Sequence, residues 1–286
     1  MLNYIFFFMI IWLASYPKSG NTWVRVFLNS LYYTENNDSD INNLSIDQFP
    51  NRKHFEGITE NVDDLKEFSE NCINAQLKLN LSNKTKFFKT HHALWENGKF
   101  KFTNIQTTLG VIYIVRDPRN VITSLKNHFN FENYEDSLNF LIDEKKIIGI
   151  KNSKKQEDLP HIISSWKNHF NSWKKMKKNY ILVKYENLIN NPKKEFEKIA
   201  SYLEKVLGKK LNKFKILDAI EKSSFENLKK KEQIYGFKET PKYLNNSKTF
   251  FNLGPKNDWR KMLSRDVSEK IEKEFEKEML ELNYLN

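Results

Sequence analysis

The sequence predicts an α/β fold, a parallel β-sheet flanked by α-helices in a single domain covering residues 1–286. Three observations carry this. Apolar runs with no polar alternation, as for strands covered on both faces, occur over residues 1–14, 109–115 and 180–184. Each is followed by helical periodicity, the alternation of a parallel sheet with crossovers. No repeat, low-complexity linker or composition shift divides the chain.

Residues 1–14 are nearly continuous hydrophobe and run into the turn Ser15-Tyr16-Pro17-Lys18-Ser19-Gly20. A signal peptide carries Lys or Arg ahead of its apolar run, and here no basic residue precedes Lys18. The run is also shorter than the ~20 residues of a membrane helix. A buried first strand is therefore expected and a stable membrane span is not; an uncleaved anchor is the alternative. Residues 21–33 place Trp23, Val24, Phe27, Leu28 and Leu31 at helical spacing. Residues 34–54, rich in Asn, Asp and Ser, read as loop, and 84–91 as a short strand. The strand at 109–115 ends at Arg116, where Asp117 can cap a helix and Pro118 can take its first turn, out to about residue 129. Residues 131–158 lack a clear pattern. A helix is expected over 162–176, a strand over 180–184 and a helix over 192–207. Residues 223–259 read as irregular, and a charged helix over 267–282 closes the chain.

Composition narrows the class. With 39% hydrophobic and 14% aromatic residues the chain can bury one large core, despite a mean hydropathy of −0.68. Eight Gly, seven Pro and one Cys exclude collagen-like and disulfide-stapled classes. Of 47 basic residues only six are Arg (25, 52, 116, 119, 260 and 265), so the +11 net charge is mostly lysine. Lysine mostly decorates solvated surface, whereas forked anion recognition uses arginine. No nucleic-acid partner is expected, and the few arginines become worth locating. Cys72 stands alone and is expected to be a small buried side chain in a reducing, cytoplasmic setting.

Three segments at strand ends carry anion chemistry, where ligands of parallel sheets bind. In the first, Ser19 and Gly20 allow close backbone approach and the following amides head a helix, while Lys18 adds charge, Thr22 a hydroxyl and Trp23 a flat face. The nucleoside-triphosphatase pattern places Gly-Lys-Ser/Thr at the loop's end to hold magnesium; here the lysine comes early. The second is Lys89-Thr90-His91-His92, where a histidine beside lysines suits proton removal from a hydroxyl. Adjacent histidines on a strand point to opposite faces, so at most one faces the site, and no metal is expected. The third joins Arg116, a helix start and Ser124 two turns on.

Together these motifs resemble the cytosolic-type sulfotransferases that use 3′-phosphoadenosine 5′-phosphosulfate (PAPS). The family's first motif is similar to Tyr-Pro-Lys-Ser-Gly-Thr-Thr-Trp, matched at 16–23 except that Asn21 stands for the first Thr. Lys-Thr-His is matched at 89–91, and the 3′-phosphate motif at Arg116 and Ser124. Further similarity lies in Trp166-Lys167-Asn168-His169, Tyr185-Glu186 and Ser223-Ser224-Phe225. The resemblance implies a P-loop-like fold and sulfuryl transfer to an acceptor hydroxyl or amine. It implies that Lys18 contacts the bridging and sulfuryl oxygens, and that Ser19, Gly20, Asn21 and Thr22 hold the 5′-phosphosulfate. Trp23, Tyr185 and Ser223 would contact adenine, Arg116 and Ser124 the 3′-phosphate. His91 would be the general base, with Lys89 assisting. Near the C-terminus the family has Arg-Lys-Gly, where this chain has Asn252, Leu253 and Gly254. Only Gly254 is kept as a cofactor-binding position, and Lys248 or Lys256 are the candidates to compensate. The family's dimerisation motif is not evident, so the oligomeric state stays open.

The acceptor, a small molecule, glycan or lipid bearing a hydroxyl, has no motif; residues 34–83, 130–160 and 226–250 would shape its pocket. Two rival readings stand beside this one: a nucleoside or small-alcohol kinase of related P-loop fold, and a non-catalytic nucleotide- or polyanion-binding module.

Overall fold

The computed structural model describes residues 9–34, 41–82, 84–149, 159–240, 249–251 and 253–286. Strands β1 (Ile10–Ser15), β2 (Asp47–Gln48), β3 (Lys86–Thr90), β6 (Thr108–Val115) and β9 (Tyr180–Lys184) form one sheet. Its order is β2-β3-β1-β6-β9 and every pairing is parallel. Two small antiparallel ribbons lie outside it, β4 (Glu96–Asn97) with β5 (Phe100–Lys101), and β7 (Ile147–Ile148) with β8 (His161–Ile162). The apolar strands do face core on both sides. Ile10, Trp12 and Ala14 enter one cluster and Ile11 and Leu13 the other; Val111, Tyr113 and Val115 oppose Ile112 and Ile114 in the same way. Each fully buried Val, Leu or Ile side chain among them contributes about 1.5–3 kcal/mol. Residues 1–8, the start of the expected first strand, lie outside the described residues.

One layer of helices holds α1 (Asn21–Tyr32) against α7 (Pro192–Leu207), where Phe27 stacks on Phe196 at 4.3 Å. The other holds α2 (Leu65–Asn80) and α5 (Trp166–Trp173). Cys72 on α2 is fully buried, and burial pushes its thiol pKa up. As expected, α3 (Pro118–Phe129) begins on Asp117, whose side chain accepts from the Arg119 N–H.

Several expectations are corrected. The helix expected over 162–176 starts only at Trp166. Ile162 is paired in β8, Ser164 is left-handed at φ 58°, and Ser165 caps the helix through the Asn168 N–H. The stretch 131–158 contains α4 (Tyr134–Ile142), capped by Asn133. Helices α6 (Tyr185–Asn190) and α8 (Lys213–Lys222) precede a region expected to be irregular, and that region contains α9 (Phe225–Tyr235). Only Leu228 and Glu232 of α9 are buried, too few for its period to show. After α10 (Trp259–Met262), the closing charged helix is two, α11 (Arg265–Glu274) and α12 (Glu276–Glu281). They break at Phe275, which is fully buried against Trp166. The loop expected over 34–54 supplies β2, which pairs with Phe88 and Lys89 and so lies beside the site.

Candidate active site

Because all five strands run parallel, their C-terminal ends share one edge of the sheet. Sheet order reverses on either side of β1, the place where such sheets bind ligands. The loop after β1 carries Lys18, β3 ends at Lys89 and His91, β6 ends at Arg116, and β9 ends at Tyr185. The topology thus gathers the motifs that the sequence spreads over 170 positions.

The first loop is conformationally demanding. Lys18 is left-handed at φ 66° and Gly20 has φ 100°, with the Tyr185 ring packed so closely that a Cβ on Gly20 would run into it. Lys18 is half-buried, its Nζ 3.4 Å from His128 Nδ1 and 4.3 Å above the Phe250 ring. Burial, then the charges of Arg116 and Lys89, lower its pKa to about 7. Asn21 turns its amide away, donating to the Leu13 carbonyl and Ser15 Oγ, both at 3.1 Å. Thr22 is buried on the first turn of α1.

Trp23 sits in an aromatic box with Tyr185 at 5.9 Å, Phe196 at 6.1 Å and Phe225 at 6.4 Å, all edge-on. Gly254, at φ 50°, lies so close to Phe225 that a side chain there would overlap the ring. Segment 254–259 is held to α3: Thr123 donates to Asn257 Oδ1 at 2.8 Å and the Trp259 N–H to Asn120 Oδ1 at 3.0 Å. Ser223 caps the end of α8 and bonds back to the Ile220 carbonyl. Ser124 is half-buried on α3. Asn252 and Lys248 lie outside the described residues, and Lys256 is exposed.

His91 and His92 part company as expected. His91 Nδ1 lies 2.8 Å from the Ser15 carbonyl, which can only accept, so that nitrogen carries the proton and Nε2 is left as a base. Burial and the Lys89 charge hold its pKa well below the usual histidine range, so the ring is neutral. His92 Nδ1 accepts from the Trp95 indole and the Ile162 N–H, and its ring stacks on Phe102 in the core. Among the described residues no group of three or more His, Cys, Asp or Glu could hold a metal ion.

Residues without a role in the sequence-based site surround these groups. Glu239 pairs with Arg25 and lies 3.3 Å from Lys89 Nζ. His128 meets Lys18, and His169 lies 3.2 Å from the His91 carbonyl, with Tyr113 OH on its other nitrogen. Arg25 left a trace in sequence as an arginine three residues after Thr22, and His169 as the last residue of Trp166-Lys167-Asn168-His169.

Fold and site together define an α/β protein with a candidate anion-binding loop at the sheet's switch point. The Sulfotransferase domain model matches residues 10–283, and the chain belongs to that family of enzymes. It is similar to sulfotransferase 1B1 of Canis lupus familiaris, 27% identical over 93% of this chain and 82% of that one. Its fold is similar to a mouse sulfotransferase complexed with PAP (TM-score 0.56, 18% identity, covering 95% of this chain and 84% of that one). It is likewise similar to retinol dehydratase in complex with androsterone and PAP (TM-score 0.61, 18% identity, 94% and 80%). No helix among the described residues is long and apolar enough to cross a membrane.

Proposed function

We propose that the chain moves a sulfuryl group from PAPS to an acceptor hydroxyl or amine, with His91 as general base. The observation that carries this is the neutral His91, its Nδ1–H tied to Ser15, on the same strand end as Lys89 and across from Lys18. The donor fits the residues present. Ser19 Oγ, Trp23 Nε1 and Arg116 Nε are buried polar atoms without hydrogen-bond partners among the described residues, and they belong to the segments assigned here to the donor's 5′-phosphosulfate, adenine and 3′-phosphate. Lys18 with residues 19–22 would hold its 5′-phosphosulfate, Trp23, Tyr185 and Ser223 its adenine, and Arg116, Ser124 and the Gly254 segment its 3′-phosphate. PAPS supplies an activated sulfuryl group and a phosphate leaving group.

His91 Nε2 would remove the acceptor's proton as the acceptor oxygen or nitrogen bonds to sulfur and the bond from sulfur to the 5′-phosphate oxygen breaks, 3′-phosphoadenosine 5′-phosphate leaving. Lys18 and Lys89 neutralise charge growing on the oxygens. Calorimetry with 3′-phosphoadenosine 5′-phosphate against ATP tests the donor. Tight binding of the first and weak, magnesium-independent binding of the second is expected. A preference for ATP with magnesium-dependent turnover would replace this reading with the kinase.

A further inference from the structure

Glu239 stands in the turn after α9, and its carboxylate reaches two cations of the site. One oxygen pairs with Arg25 Nη2 and the other lies 3.3 Å from Lys89 Nζ. Arg25 is 5% exposed and Lys89 8%, so both charges need a partner. The turn itself is pinned: Phe237 packs on Phe250 and Phe251, and Glu232 accepts from both of their backbone N–H groups. Among the described residues, Lys18 of the first loop, His128 of α3, His91 after β3 and His161 of β8 also feel the Lys89 charge. Burial pushes the Glu239 carboxyl up, but Lys89 and Arg25 outweigh it and bring it down to about 2.

Resting on the reading of Lys89 as the group that assists transfer, the geometry points to Glu239 as its positioning residue. Anchored by Arg25, the carboxylate holds the Lys89 ammonium charged and aimed into the site.

The test labels lysines by reductive dimethylation with carbon-13 and follows Lys89 by NMR, its signal assigned by loss in Lys89→Arg. Glu239→Gln should lower the Lys89 titration midpoint by about one pH unit or more, the effect of losing an adjacent opposite charge. Glu239→Asp, which keeps the charge, should shift it less and covers the case in which the glutamine variant does not fold. Glu239→Gln should bind 3′-phosphoadenosine 5′-phosphate no more weakly than wild type, because a carboxylate beside the anion site is removed. Its kcat should fall about tenfold at unchanged donor KM. An unchanged Lys89 midpoint, or weakened nucleotide binding with kcat retained, overturns the inference and assigns Glu239 to holding the turn. Failure of the wild-type protein to bind the nucleotide strikes the donor assignment instead, and the titration needs no nucleotide.

Discussion

Arg116 donates from Nη1 to the Lys18 carbonyl at 3.0 Å, while its guanidinium lies 4.2 Å over the Tyr185 ring. The three residues come from three strand ends. Tyr185 in turn packs on Gly20, so the loop's left-handed geometry, the arginine and the aromatic box form one unit. Arg116 therefore supports the loop with one nitrogen, while its buried Nε has no hydrogen-bond partner among the described residues.

Arg116→Ala should weaken 3′-phosphoadenosine 5′-phosphate by about ten- to a hundredfold. A hydrogen bond to a charged group contributes ~1.5–3 kcal/mol, and 1.4 kcal/mol is a decade. Adenosine 5′-phosphate, lacking the 3′ group, should lose less than about threefold of that decade scale. Calorimetry with both ligands decides; equal losses would make Arg116 a loop support only.

Lys18 predicts a proton linkage. Its folded pKa, lowered to about 7, leaves it mostly neutral at pH 8 in the nucleotide-free protein. A bound anion favours the charged form and raises that pKa, so binding takes up a proton. Affinity for 3′-phosphoadenosine 5′-phosphate should thus fall between pH 7 and 9, by at most about tenfold per unit. Binding heats should vary with buffer ionisation enthalpy in wild type and much less in Lys18→Ala. The same variant should melt with wild type yet turn over at least about tenfold more slowly, since a charge-stabilising donor is worth that or more.

His91→Ala should slow transfer by about 10²–10⁴, the usual contribution of a general base. Nucleotide affinity should hold, because Nε2 faces the acceptor's proton rather than the donor. Transfer that persists at the wild-type rate would remove His91 from the mechanism.

Gly20→Ala and Gly57→Ala separate strain from collision. Both glycines are left-handed, at φ 100° and 69°, but only Gly20 lies against a ring; nothing stands near a Cβ on Gly57. Each substitution should cost about 1–3 kcal/mol of backbone strain. Gly20→Ala should lose more on thermal melting, and should also weaken nucleotide binding as Tyr185 is displaced. Equal melting losses would show that Tyr185 moves aside freely.

Much was legible before any coordinates. The strand at 180–184 and the helices at 21–33 and 192–207 were read nearly to their ends, because two-sided burial and a helical stripe both leave their period in the sequence. The Asp117-Pro118 start is likewise a local signal, a cap and a fixed φ. Helix α9 escaped because it buries only two side chains, and α5 was drawn too long because Ile162 is apolar for a strand's reason.

For the site, the sequence by itself picked out the candidates: Lys18, Lys89, His91 and Arg116 each lie within a short motif whose spacing is set by one strand end. Tertiary structure alone decided what surrounds them. Glu239 reaches Lys89 from 150 positions away, His128 reaches Lys18 from 110, and Arg116 reaches the Lys18 carbonyl from 98. Such partners have no fixed separation along the chain, because strand order and helix docking, not local spacing, bring them together. The protonation states follow the same division. Lys18 near 7, neutral His91 and ionised Glu239 depend on burial and on neighbouring charges, quantities that exist only once the sheet is assembled.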